Sequence, residues 1–118
     1  MGQRKKESID YLYDILDAIV KIEKFTNGIG FDEFSKDYKT VYAVVRAFEI
    51  IGEASKRVSD SVKKKYENIP WREMAGMRDK LIHGYFGIDI KVIWKSVKED
   101  VPFLKSLLLK IEEIAFKE

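Results

Sequence analysis

Residues 39–58, KTVYAVVRAFEIIGEASKRV, give the clearest indication of secondary structure in this chain. Their apolar side chains recur at steps of three and four, which places them on one face of an α-helix, and no proline interrupts the stretch. These side chains are Val41, Val44, Val45, Phe48, Ile51, Ala54 and Val58. The stretch therefore predicts one long amphipathic helix.

The segment before this helix predicts a second amphipathic helix. From Ser8 to about Lys24 the apolar residues follow the same helical spacing, while the aspartates fall away from the apolar stripe. The glycines of Asn27-Gly28-Ile29-Gly30 favour a chain reversal, and Asp32 is suited to cap a short turn. The N-terminal third of the chain is therefore expected to be helical with one break.

Two helices are expected between residue 58 and the C-terminal segment. Ser59 or Asp60 is suited to start a short charged helix, because both residue types favour the N-cap position. Pro70 is suited to the first turn of the next helix, which the apolar spacing extends to Leu81 or Ile82.

The C-terminal segment predicts a final helix. Residues 87–89 supply a cap, the apolar spacing continues to the C-terminus, and Pro102 is expected to kink the helix. No segment shows the sustained period-two alternation of a strand. The sequence thus predicts an all-α fold, an up-and-down helical bundle of four principal helices plus short helices, in a single domain spanning residues 1–118.

Composition limits the classes of function. Hydrophobic residues make up 46% and charged residues 36% of the 118 residues, which is typical of a globular chain. Cysteine is absent, and no apolar run approaches the roughly 20 residues that cross a bilayer, so we expect a cytoplasmic protein without a membrane segment. The net charge is only +2, so any affinity for RNA must come from a local site.

The side chains best suited to catalysis are concentrated between positions 78 and 85. Arg78, Asp79, His83 and Tyr85 place a permanent cation, a carboxylate, the only histidine of the chain and a phenol close together in sequence. Histidine exchanges protons near neutral pH, and the planar fork of arginine matches phosphate oxygens. This combination is suited to phosphodiester cleavage.

Helical geometry favours some pairs within this group. Asp79 and His83 are four residues apart, so the carboxylate could orient the imidazole. Arg78 and His83 lie about 140° apart on an ideal helix and face different neighbours. A twofold dimer contact beside this helix would place both residues of both copies in one cleft.

A purely structural interpretation of the same residues stays open at this point. A histidine near a helix C-terminus is favoured by the helix dipole, and Arg78 and Asp79 are able to pair on the surface. Tyr85 is equally suited to a half-buried position in the core. Residue chemistry alone does not decide between the two interpretations.

The spacing of these residues resembles a family signature. Arg78, His83 and Tyr85 match the Arg-x-x-x-x-His-x-Tyr pattern of HepT-like proteins in the HEPN superfamily, and Asp79 meets its preference for a polar residue after the arginine. The segment 47–54 is similar to the Gly-Glu-Ala helix of that family. The resemblance covers about residues 37–102.

This resemblance implies an endoribonuclease that needs no metal or cofactor and that works as a homodimer with a shared cleft. Arg78 would neutralise the scissile phosphate, His83 would act as general acid or base, and Asp79 would orient His83. In related toxins the partner is a small nucleotidyltransferase antitoxin of the MNT type, which adds AMP to the signature tyrosine. Tyr85 would then be the regulatory acceptor.

Arg46 and Glu53 are secondary candidates for the cleft. With Glu49 they form a polar stripe at helical spacing on the otherwise apolar segment 39–58. A solvated ladder of ion pairs explains the stripe equally well. One histidine and no cysteine leave little for a metal site, and none is expected.

Two other functions remain as alternatives. The first is a non-catalytic helical partner that serves as the substrate of a nucleotidyltransferase, since a fold or a signature alone does not prove turnover. The second is an RNA-binding module without chemistry, which the nearly balanced charge disfavours.

Overall fold

The architecture is helical throughout the part of the chain that the computed structural model describes, residues 6–81 and 87–115. The helices are α1 (Ser8–Thr26), α2 (Phe31–Lys36), α3 (Tyr38–Arg57), α4 (Asp60–Lys65), α5 (Trp71–Ala75), α6 (Met77–Leu81), α7 (Ile90–Lys95), α8 (Val101–Leu108) and α9 (Glu112–Ala115). A π-helical segment, Ser96–Asp100, joins α7 to α8. The predicted all-α helical bundle is confirmed.

The two longest helices, α1 and α3, pack along each other and supply much of the core. The helices α5 and α6 lie against α3, and α8 lies against α1. Apolar side chains from these elements form one buried cluster, whose largest members are Phe34, Phe48, Leu12, Ile15, Ile19, Ile22, Ile51, Met74, Leu81, Ile93, Leu108 and Ile111. None of the described helices is both long and apolar enough to cross a membrane.

Side-chain caps begin several helices. Asp37 caps α3, because its carboxylate accepts hydrogen bonds from the Thr40 backbone N–H at 3.1 Å and the Thr40 hydroxyl at 2.6 Å. These hydrogen bonds lower the pKa of Asp37 below its ordinary value of 3.8. Ser59 caps α4 and Asp89 caps α7, as the sequence predicts. Asp32 is not a cap: Gly30 occupies that position, and Asp32 lies in the first turn of α2.

The predicted helix from Pro70 to Leu81 or Ile82 is wrong in one respect, because Gly76 divides it. Gly76 has φ −87° and ψ 2°, and its N–H donates to the Arg72 carbonyl at 3.1 Å. Glycine resists helix formation more than any other residue except proline. The chain therefore changes direction between α5 and α6.

The final helix also departs from the prediction in two places. Ahead of Pro102 the helix widens, and the Val101 N–H donates to the Ser96 carbonyl in a π-type bond. Proline lacks an N–H and its ring crowds the carbonyl four residues earlier, so a wider turn accommodates Pro102. The helix then turns at 109–110 rather than reaching the C-terminus, and this turn lets Ile111 and Ile114 join the core.

Gly52 allows the closest approach between α3 and α5. A Cβ atom built at Gly52 would lie 3.4 Å from the backbone carbonyl oxygens of Met74 and Ala75. Those oxygens belong to the main chain of a neighbouring helix and cannot rotate away. The position therefore accepts hydrogen or a single methyl group, but no branched side chain.

We expect Gly52→Val to lower the free energy of unfolding by about 1–3 kcal/mol, because its branched carbons would force α5 away from α3. Gly52→Ala should stay near the parent value, since the ordinary gain in helix propensity, about 0.5–1 kcal/mol, offsets the tight contact. Urea unfolding followed by circular dichroism measures both. Equal stability of the valine variant and the parent would contradict the close approach.

Candidate active site

Arg78 is the second residue of α6, and its position depends on α3. Its Nε donates to Glu49 Oε2 at 3.3 Å, although the two residues are 29 positions apart in sequence. Half of the Arg78 side chain remains exposed to solvent. The contact therefore fixes the base of the guanidinium and leaves its outer edge accessible.

Glu49 links Arg78 to the polar stripe of α3. Arg46 Nη1 lies 3.8 Å from Glu49 Oε1 and 3.7 Å from Glu53 Oε1. Glu49 is the most buried member, with 25% of its side chain exposed against 60% for Arg46 and 64% for Glu53. The secondary candidates Arg46 and Glu53 thus lie in one cluster with Arg78, through a glutamate that the sequence analysis noted only as part of the stripe.

Asp79 lies on the surface next to Arg78. Its side chain is 84% exposed, and its Oδ1 lies 3.6 Å from Arg78 Nη1. His83 and Tyr85 lie outside the described residues, so the pairing of Asp79 with His83 stays a prediction. Within the described part of the chain, the ionic partner of Asp79 is Arg78.

The guanidinium of Arg78 retains capacity for another ligand. It carries five N–H donors, and its contacts with Glu49 and Asp79 involve Nε and Nη1. Among residues 6–81 and 87–115, the carboxylates that form ion pairs with Arg78 are those of Glu49 and Asp79. Exposed ion pairs of this kind contribute about 1 kcal/mol or less, so an anionic ligand can displace them.

Arg78 lines a surface groove of about 410 Å³ between α3, α6 and the start of α7. The other lining residues are Tyr38, Val41, Tyr42, Val45, Glu49, Gly87, Ile88 and Ile90. The Asp89 N–H donates to the Leu81 carbonyl at 3.3 Å, which brings the chain back to the end of α6. Residues on both sides of the 82–86 segment therefore adjoin the groove.

The two tyrosines of this groove, Tyr38 and Tyr42, are not among the site residues predicted from the sequence. Tyr38, Tyr42, Arg46, Glu49 and Glu53 follow one another at steps of three and four along α3. That spacing is the signal that could have identified them as one face. Which other helix borders this face is not encoded in the spacing.

No group of three or more potential metal ligands converges anywhere in the described ranges. The titratable residues of the groove are arginine, glutamate and tyrosine, and this set is better suited to binding an anion than a metal ion. The expectation of a site without metal stays a prediction.

Comparison with known sequences places the chain in a family. The sequence model described as "Ribonuclease HepT-like" matches residues 15–111, most of the chain. This chain belongs to the ribonuclease HepT-like family. The match includes α3, α5 and α6, and so covers every residue of the cluster around Arg78.

Individual relatives agree with this assignment. The HepT-like chain is 55% identical over 109 residues to a probable ribonuclease HepT of Thermococcus cleftensis, covering 92% of this chain and 99% of the relative. It is 48% identical over 101 residues to a putative RNase of Methanocaldococcus jannaschii, covering 86% and 93%. A putative RNase of Caldanaerobacter subterraneus is 41% identical over 108 residues, covering 92% and 94%. No solved structure matches the chain.

A double-mutant cycle tests whether the contact between Glu49 and Arg78 stabilises the fold or only orients the arginine. We expect a coupling energy of about 1 kcal/mol or less between Glu49→Ala and Arg78→Ala, because half of the Arg78 side chain is exposed to solvent. Urea unfolding of the parent, both single variants and the double variant measures it. A coupling of several kcal/mol would assign the pair a structural role instead.

Proposed function

We propose that this chain is a metal-independent endoribonuclease and the toxin of a cytoplasmic HEPN/nucleotidyltransferase toxin–antitoxin pair. Membership of the ribonuclease HepT-like family makes RNA the substrate class. The observation that supports this site is that Arg78 lines an open surface groove. Gly87, which directly follows the 82–86 segment in the sequence, lines the same groove. Arg78 therefore lies at a surface that a phosphodiester can reach.

Arg78 binds the scissile phosphate in this mechanism. Its planar guanidinium offers paired N–H donors to phosphate oxygens and stabilises the charge that develops on them. Glu49 holds the Nε atom of the group. Arg78 also lines the groove, where its remaining N–H donors would meet the phosphate. The phosphate competes with Asp79, whose contact at 3.6 Å is solvated and weak.

His83 moves the protons of the reaction. The 2′-oxygen of the ribose attacks the phosphorus and the bond to the 5′-oxygen breaks. His83 takes the proton from the 2′-hydroxyl or gives one to the leaving oxygen, and water makes the other proton transfer. Asp79 orients the imidazole in this proposal. The products are a cyclic phosphate and a free 5′-hydroxyl, so no metal-bound water enters the chemistry.

A homodimer brings the reacting groups together. The chain has one histidine, and an ideal helix sets Arg78 and His83 about 140° apart. Twofold symmetry presents the same patch twice, so one cleft contains both groups from two copies. Arg46 and Glu53 extend the polar wall of that cleft.

We expect the purified chain to cleave RNA at the same rate with and without EDTA. Arg78→Ala and His83→Ala should each lower the rate at least about a hundredfold, because each removes one partner of the transition state. Gel analysis of a labelled RNA measures the rate. Lys80→Ala is the matched control: Lys80 is an exposed cation of the same helix, and its partner is Asp100 at 3.7 Å.

Full activity of Arg78→Ala or His83→Ala would overturn the proposed site. Loss of activity in EDTA, restored by added Mg²⁺, would overturn the metal-independent mechanism. Circular dichroism of each variant serves as the control: if the helical signal equals that of the parent, a loss of cleavage is not caused by unfolding.

In this proposal the antitoxin inhibits the ribonuclease by modifying Tyr85. A nucleotidyltransferase of the MNT type joins the tyrosine oxygen to the α-phosphorus of ATP and releases pyrophosphate. The added adenylate places bulk and negative charge beside the phosphate-binding arginine and excludes RNA.

Incubation with such an enzyme and ATP should increase the mass of the chain by adenylate groups and abolish cleavage, while Tyr85→Phe keeps its activity. Mass spectrometry and the cleavage assay measure both effects. Modification of a chain that never cleaves RNA would favour the alternative, a non-catalytic substrate of the nucleotidyltransferase.

A further inference from the structure

Two of the most exposed aromatic side chains in the described ranges border the groove of Arg78. Tyr38 is 67% exposed and Tyr42 is 62% exposed, and both line the groove. The other large apolar side chains with comparable exposure are Phe25, Phe103 and Leu109, and none of them lines it. The concentration of aromatic surface is therefore specific to this groove.

The exposure of the tyrosines follows from the helix that carries them. Val41 and Val45 lie on the face of α3 that is buried in the core. Tyr38 and Tyr42 therefore project on the outer side of the helix, one turn apart. In the described part of the chain, neither ring stacks on another ring or lies under a cation. With respect to residues 6–81 and 87–115, the faces of both rings are therefore open to a ligand.

The surroundings of the tyrosines combine aromatic faces with cations. Arg78 lies in the same groove, and Lys39 is exposed between the two tyrosines in sequence. A shallow hollow continues the surface on the far side of residues 87–90, where Phe31 and Lys91 line it. Alternation of π-faces and cations is typical of surfaces that bind single-stranded nucleic acid.

We infer that Tyr38 and Tyr42 form a stacking subsite for unpaired bases of single-stranded RNA, beside the phosphate held by Arg78. This inference rests on the proposed function and specifies its substrate as unpaired RNA. Two rings one helical turn apart, about 6 Å along α3, receive one base each from neighbouring nucleotides. Duplex RNA keeps its bases stacked inside the helix and does not fit this subsite.

RNA fits this surface better than a second copy of the chain. The phenol hydroxyl keeps each tyrosine compatible with water, and the adjoining Arg78 matches a phosphate. A contact between copies through Tyr38 and Tyr42 themselves would cover both stacking faces, so the dimer contact of the proposed function must lie beside the tyrosines and not on them. The experiment below distinguishes the two occupants.

The test measures binding of a fluorescent 2′-O-methyl oligouridylate, which has no 2′-hydroxyl to attack the phosphate. We expect Tyr38→Leu and Tyr42→Leu to weaken its affinity about fivefold or more each, while Tyr42→Phe binds like the parent because the ring remains. Phe103→Leu is the matched control, an exposed aromatic residue on α8 outside the groove. An abasic oligomer with the same backbone should bind the parent and both leucine variants equally.

Several outcomes would overturn the inference. They are unchanged affinity of the leucine variants, an equal loss with the abasic oligomer, no binding by the parent, or dissociation of a dimer in the leucine variants as measured by sedimentation. The uncleavable probe separates this result from the proposed function. A parent that cleaves RNA, with leucine variants that bind the probe normally, would refute the subsite and leave the ribonuclease intact.

Discussion

The approach of the α5 backbone to α3 at Gly52 determines where Arg78 can lie. The carbonyl oxygens of Met74 and Ala75 meet α3 where a side chain is absent, and the chain then turns at Gly76 into α6. Glu49 lies about one turn before Gly52 on α3, so it faces the start of α6. A branched side chain at position 52 would push α5 away from α3, and we expect α6 and Arg78 to move with it.

The electrostatics around Arg78 orient the side chain more than they stabilise the fold. Glu49 is the least exposed carboxylate of the cluster and contacts both arginines. Because more than half of each arginine side chain is exposed, these ion pairs are weak enough for a phosphate to displace. A structural salt bridge of the same composition would be buried and would resist exchange.

Much of the fold was predictable because helices are local structures. The apolar periods of 8–24 and 39–58 anticipated α1 and α3, and the caps Ser59 and Asp89 were correct. The prediction of an unbroken final helix was wrong, because the burial of apolar side chains in the core outweighs the helical spacing of the sequence there. Ile111 and Ile114 reach the core only if the chain leaves the axis of α8, and no local signal at 109–110 announces that turn.

The sequence by itself determined the helical class, the polar stripe of α3, and the family signature that includes Arg78, because each depends on residue type and short spacing. Only the tertiary structure decided that Glu49 holds Arg78 and that Tyr38 and Tyr42 border the same groove. A helical period assigns a residue to a face, whereas the element that crosses that face depends on packing between segments far apart in the chain. In this protein that packing is made possible by the missing side chain at Gly52.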